Sequence, residues 1–181
     1  MKHLTRRATR ILSEFAPREA RRLGHAPVRH EHVMLGMIST GGSSILHELV
    51  VGSILSRFRV DIGKLSRDLQ NYLAQETPDT TPKSGHDIRS LKERAFAEAR
   101  QLKEVVAGTE HILLAILRDK TCKIATCLAE YGLTYEVLQK ELGQRSTLDN
   151  LRIRNNYGHN EVYNFHQGSK IIYVRPKKAG V

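Results

Sequence analysis

The sequence predicts an all-α protein: a duplicated four-helix repeat forming a pseudo-twofold eight-helix bundle, with an irregular or β-hairpin C-terminal tail. Three observations carry that prediction. At an offset of 79, the 181-residue chain aligns with itself without a gap. Leu12 meets Leu91, Ala16 meets Ala95, Glu19-Ala20-Arg21 meets Glu98-Ala99-Arg100, Leu23 meets Leu102, Glu31-His32 meets Glu110-His111, and Leu35 meets Leu114. Apolar residues in both copies recur at the three- and four-residue intervals of a helix. With 40% hydrophobic and 27% charged residues there is enough apolar matter to bury a core, which excludes compositional disorder.

The first element runs from Thr5 to Leu23 and buries Ala8, Leu12, Ala16 and Leu23 on one face; Leu91, Ala95, Ala99 and Leu102 do the same in the second copy. A second helix begins near Glu31 and near Glu110, with Thr109 as N-cap and the acidic residue favourable to the helix dipole. Val33 to Ile38 and Ile112 to Leu117 are apolar almost all round, as central helices are. The third segments are Ser44 to Phe58 and Cys122 to Tyr131, the latter stopped by Gly132. The fourth begin at the N-caps Asp61 and Thr134 and carry Leu65, Leu69 and Leu73, or Val137, Leu138 and Leu142. Beyond Ile38 the match resumes at an offset of 73, Val60 on Leu133 and Leu65 on Leu138, so the first copy holds six extra residues, placed between Gly41 and Gly52. The organisation is therefore repeat 1 over 1–75, a linker over 76–85 rich in Pro and Thr, repeat 2 over 86–144, and a basic tail over 145–181. No strand is expected between residues 4 and 144. In the tail, Val162 to Phe165 and Ile171 to Val174 are β-prone runs around His166-Gln167-Gly168-Ser169, and the tail is expected to be separable from the fold.

The net charge is +10, and its excess sits at the two ends. Residues 1–75 carry 12 positive and 6 negative charges, 76–143 carry 10 and 11, and 144–181 carry 7 and 2. Arg6, Arg7, Arg10, Arg18, Arg21 and Arg22 make the first helix basic, suited to an acidic adaptor; a phosphate backbone is the alternative partner, without interleaved aromatics or a reading motif to support it. No apolar run reaches the length of a membrane span and the N-terminus lacks a secretory stretch, so a cytoplasmic location and no membrane partner are expected. Cys122 and Cys127, five apart, fit neither a metal pair nor a disulfide framework and read as buried thiols.

Glu19-Ala20-Arg21-Arg22-Leu23-Gly24-His25 with Glu31-His32, and Ala107-Gly108-Thr109-Glu110-His111-Ile112-Leu113-Leu114, resemble the N-terminal domain of the Clp unfoldases, in particular the ClpC and ClpA branch. The resemblance covers about residues 4 to 144. It implies a non-catalytic module that binds protein substrates and adaptor proteins and passes them to a hexameric ATPase ring and the ClpP protease. No GxxxxGK[ST] loop is present, so no nucleotide or other cofactor and no enzyme activity are expected. A structural accessory that docks on a Clp protease ring is a further reading.

In the ClpC-like branch a pocket in each repeat recognises phosphorylated arginine, using the glutamate of the Thr-Glu-His turn and a threonine near the start of the repeat. Carried over by position, the resemblance implies Glu31 with Thr5 in the first copy and Glu110 in the second, where Ser84 falls opposite Thr5. A carboxylate pairs with the guanidinium while helix amides and hydroxyls receive the phosphate. Arg29 and His30 stand where the second copy has Gly108 and Thr109, so the first pocket lacks the N-cap hydroxyl but gains charge. His25, His30 and His32 do not share one helical face, and no metal site is expected of them.

Overall fold

The computed structural model describes residues 3–25, 27–39, 50–75, 87–120, 122–144, 165–167 and 170–172. Repeat 1 opens with a continuous helical rod: α1 (Arg6–Arg10), a π-helical stretch (Ile11–Phe15) and α2 (Ala16–Arg22), followed by α3 (His30–Ser39), α4 (Val50–Arg57) and α5 (Ile62–Gln75). Repeat 2 answers with α6 (Ile88–Gln101), α7 (Thr109–Leu117), α8 (Lys123–Ala129) and α9 (135–144). Each repeat thus holds four helical segments, as its periodicity predicts. Residues 40–49, which hold most of the inserted stretch and the start of the third segment, lie outside the described residues, as does the whole linker over 76–85.

The π stretch has a local cause. Pro17 brings no N–H, and its ring would collide with the carbonyl four residues back; the widened turn, closed by Ala16 N–H to the Ile11 carbonyl, relieves the collision. The same stretch lies tight on α3. A β-carbon on Gly36 would stand 3.0 Å from Ala16 N and 3.2 Å from the Phe15 carbonyl carbon. In repeat 2, α6 is regular and Ala115 occupies the matching position.

The central helices are α3 and α7. Every residue from His30 to Ile38 is buried, as are His111 to Leu117. α4 packs on α7, and α3 and α5 pack on α8, so the two repeats share one apolar core through Met34, Ile54, Leu55, Ile112 and Leu128. Burying side chains of this size contributes roughly 1.5–3 kcal/mol each.

Helix ends repeat in detail. Leu23 closes α2 with Gly24 left-handed at φ +74°, while the equivalent Lys103 after α6 takes φ +60°. In both, the next residue's amide reaches back to a helix carbonyl: His25 N–H to Ala20 at 2.9 Å, Glu104 N–H to Ala99 at 2.8 Å. The third segments end likewise, on Arg59 (φ +52°) and Gly132 (φ +76°), with Val60 and Leu133 turned into the core. Asp61 and Thr134 cap the fourth helices as expected, accepting from Lys64 N–H and Val137 N–H.

One expectation is overturned. Strands occur within 4–144: β1 (His3–Leu4) pairs in parallel with β2 (Val106–Ala107). Two residues per strand are too few for an alternating pattern, and the pairing arises because α1 packs beside α7 and brings the segments before them together. In the tail, β3 (Phe165–Gln167) and β4 (Lys170–Ile172) form an antiparallel pair with Gln167 opposite Lys170, so pairing extends into the predicted turn.

Candidate functional site

The site is built at the N-terminus of α7. Gly108, not Thr109, is the N-cap residue, and Thr109 is the first residue of the helix. Gly108 is extended (φ −97°, ψ −173°), a backbone any residue adopts, so its value lies in the missing side chain. The Glu110 carboxylate folds back over it: a β-carbon on Gly108 would lie 2.1 Å from Glu110 Oε1. Thr109 Oγ1 donates to Glu110 Oε2 at 3.4 Å, and His111 Nδ1 stands 3.1 Å from Oε1. Burial pushes the Glu110 carboxyl up, but the adjacent His111 ring, the residue's own backbone N–H and the Thr109 hydroxyl more than offset it, leaving the acid below the ordinary carboxylate range. Glu110 is thus ionised at neutral pH, and its side chain keeps 15% of its surface open.

His111 is fully buried and serves the turn itself, its Nδ1 accepting the Gly108 N–H at 3.0 Å. Repeat 1 uses the same device, His32 Nδ1 accepting the Arg29 N–H at 3.0 Å. The histidine of each copy is therefore a backbone cap. Ahead of each turn, the helix-ending motif aims His25 or Glu104 at that histidine's far nitrogen: His25 Nδ1 lies 2.9 Å from His32 Nε2, and Glu104 Oε2 lies 3.6 Å from His111 Nε2. Glu104, which sequence spacing did not single out, thereby joins Glu110 and His111. One donor atom from each lies within 4.8 Å of the others.

The first turn differs. Arg29 carries a side chain where Gly108 has none, and Glu31 points inward, its Oε1 receiving the Cys122 thiol at 3.8 Å across the seam between repeats. Glu31 is 4% exposed and its charge reaches Tyr72 of α5, whose phenol is raised by burial and by that carboxylate. Burial and Glu31 together push the Cys122 thiol up to about 12, and Cys127 is also raised by burial, so both cysteines are the inert buried thiols the sequence predicts. His30 is fully buried with its Nε2 2.9 Å from Arg94 Nη2. Of the three histidines around this turn, His25 and His32 meet, with ring centroids 5.1 Å apart.

Thr5 is not assembled with Glu31. It is the N-cap of α1, its Oγ1 accepting from Ala8 N–H at 3.2 Å, and its own N–H donates to the Ala107 carbonyl at 2.9 Å. That bond seats Thr5 beside the second repeat's turn, one residue from Gly108. Ser84 lies outside the described residues. Arg6, Arg7, Arg10, Arg18, Arg21 and Arg22 are all exposed along the first rod, with Arg10 and Arg18 stacked over Phe15 at 5.1 and 5.3 Å.

Among the described residues no helix is long and apolar enough to cross a membrane. A family model described as the Clp repeat (R) N-terminal domain matches residues 3–131. ClpC/MecB of Bacillus subtilis, a negative regulator of genetic competence, is 28% identical over 145 residues, covering 77% of this chain and 16% of that protein. The chloroplastic chaperone protein ClpC1 of Oryza sativa subsp. japonica is 33% identical over 131 residues, covering 71% and 13%. This chain thus spans less than a fifth of the length of these relatives. Among solved structures, the Hsp104 N-terminal domain of Candida albicans superposes with a TM-score of 0.55 at 19% identity, over 78% of this chain and 89% of that one, which shows a shared fold.

Proposed function

This chain belongs to the Clp repeat N-terminal domain family, and from that premise we propose that it is a non-catalytic protein-binding module which selects substrates or adaptors for a cytosolic Clp ATPase ring and its ClpP-type protease. The observation that carries the proposal is the second turn. An ionised, partly open Glu110 sits at the start of α7, and Thr5, whose hydroxyl oxygen accepts from Ala8 N–H, is tied by its backbone N–H to the Ala107 carbonyl just before that turn. That set suits an arginine side chain bearing a phosphoryl group: Glu110 faces the guanidinium, while the hydroxyls and the positive end of α7 take the phosphate. The relatives named ClpC and the Hsp104 domain support a role within such machines.

In the first turn, Glu31 is buried against Cys122, and Arg29 and His30 are buried as well. The proposal therefore assigns recognition to the second repeat. Calorimetry with a phosphoarginine peptide and its unphosphorylated twin tests it. Glu110→Ala is expected to remove roughly 1.5–3 kcal/mol, about tenfold or more, and Glu31→Ala far less. Equal binding of the two peptides would sink phosphoarginine reading, and a pull-down with ATP-loaded Clp ring would then decide whether the chain only docks there. The six exposed arginines favour a second reading, a nucleic-acid backbone partner; a salt titration against RNA and DNA distinguishes it, because such affinity falls steeply with salt.

A further inference from the structure

We propose that the outer face of the first helical rod, α1 through α2, docks a carboxylate-rich helical segment of a partner protein. Contacts in the structure build that face. Arg10 and Arg18 both stand over the Phe15 ring, 5.1 and 5.3 Å from its centroid, and Arg10 Nε donates to Glu14 Oε2 at 3.1 Å. Arg10 and Phe15 are five residues apart, an interval that a regular helix turns well to one side and the wider π turn brings into line. Phe15 is half-buried and packs on the core, so it holds two guanidiniums at fixed places on an exposed surface. Arginines held in place lose less side-chain freedom when they pair with carboxylates.

The row continues in both directions. Arg7 lies three residues before Arg10, and Arg21 three after Arg18, so positive side chains flank Glu14 on each side along one face. All five are exposed. From Arg7 to Arg21 the rod measures roughly 21 Å at 1.5 Å per residue. A partner helix of about fourteen residues, with Glu or Asp recurring every three or four, lays a carboxylate against each arginine pair and can place a lysine opposite Glu14.

Two features favour a protein over a nucleic-acid backbone. Glu14, 55% exposed, stands in the middle of the row, where a phosphate chain charged at every nucleotide cannot avoid it and a peptide can. The Phe15 ring lies under guanidiniums and offers no open face for a base to stack on. The surface is also particular to the first repeat. At the offset of 79, Phe15, Arg18 and Arg22 become Arg94, Ala97 and Gln101, while the apolar positions match. α6 is a regular helix there, and Arg94 turns in to His30 at 2.9 Å. The rod therefore goes beyond the peptide pocket of the second turn and does not depend on it.

The probe is a fluorescein-labelled helical peptide of about fourteen residues carrying its glutamates along one face, with a lysine at the centre. Its controls are a peptide of the same composition with the glutamates spread round the helix, and a single-stranded DNA of about the same length. Anisotropy is read against the full chain at physiological salt. The one-faced peptide is expected to bind about fivefold or more tighter than the spread one, and tighter than the DNA. The double variant Arg10→Ala, Arg18→Ala, whose side chains are exposed, should weaken it by about fivefold or more, and Arg89→Ala, Arg100→Ala on α6 should leave it unchanged. Equal binding of the two peptides, or binding that survives loss of Arg10 and Arg18, would overturn the proposal. DNA bound more tightly than the one-faced peptide would overturn it as well and assign the rod to a nucleic-acid backbone. A phosphoarginine peptide should bind the Arg10, Arg18 variant as it binds the parent chain, so failure on the rod and failure at the second turn are read separately.

Discussion

The turns at residues 29–32 and 108–111 have the same histidine cap, the same preceding helix end and the same glutamate one residue before the histidine, yet their carboxylates go to opposite places. Glu110 lies over its own helix start, and Glu31 is buried against Cys122. The difference comes down to a single β-carbon: Gly108 leaves room for a carboxylate and Arg29 fills it. The two copies keep the same scaffold at this turn and differ in where the carboxylate lies.

The largest expected departure between the turns is their response to acid. His32 is lowered from 6.5 to about 4 by burial and by the charges of His25 and Arg29. A histidine lowered in the folded state contributes stability that is complete above its unfolded pKa and is lost as pH falls through the folded one. The window here is about pH 6.5 down to 4, and the gap amounts to about 3 kcal/mol. Urea melts at pH 7 and pH 4.5 should show most of that loss. His25→Glu, which installs the second repeat's arrangement beside His32, should shrink it; an unchanged acid loss would show that His25 does not set the difference.

Next comes Gly108→Ala, which leaves the backbone unstrained but evicts the Glu110 carboxylate, and should weaken a phosphoarginine peptide about as much as Glu110→Ala, roughly tenfold. If the peptide binds Gly108→Ala normally, the folded-back carboxylate is not the binding form. Gly36→Ala should cost about 1–3 kcal/mol in denaturant unfolding, because its methyl meets backbone at 3.0 Å beside the π stretch. The matching position in repeat 2 already holds Ala115 against a regular helix, so Ala115→Gly should produce a smaller loss of a different origin, chiefly backbone entropy of about 1 kcal/mol.

The smallest effects lie at the four helix ends. Each repeat has one glycine and one larger residue in the left-handed position, and the assignment is swapped between them: Gly24 against Lys103, Arg59 against Gly132. Lys103→Gly and Arg59→Gly should raise the unfolding free energy in denaturant melts by somewhat less than about 1 kcal/mol, while Gly24→Ala and Gly132→Ala lower it by about 1 kcal/mol. Destabilisation by Lys103→Gly and Arg59→Gly, with no loss in Gly24→Ala and Gly132→Ala, would show that the remaining geometry of the caps, and not the residue, sets their strain.

By itself the sequence determined the duplication, the four helices of each copy, the apolar centres at α3 and α7, and the caps at Asp61, Thr134 and Gly132, because these depend on spacing and on local backbone chemistry. Glu110 was legible as a candidate, since the motif marks it. Only the tertiary structure decided which groups surround it. Thr5 reaches the second turn through a chain separation of about a hundred residues, by way of α1 packing on α7, so no local pattern pairs them. Glu104 enters because a left-handed helix end, at Lys103 instead of glycine, turns it back toward His111. The β1–β2 ladder and the burial of Glu31 have the same origin: contacts between distant segments obey packing and steric fit, and a linear periodicity records neither.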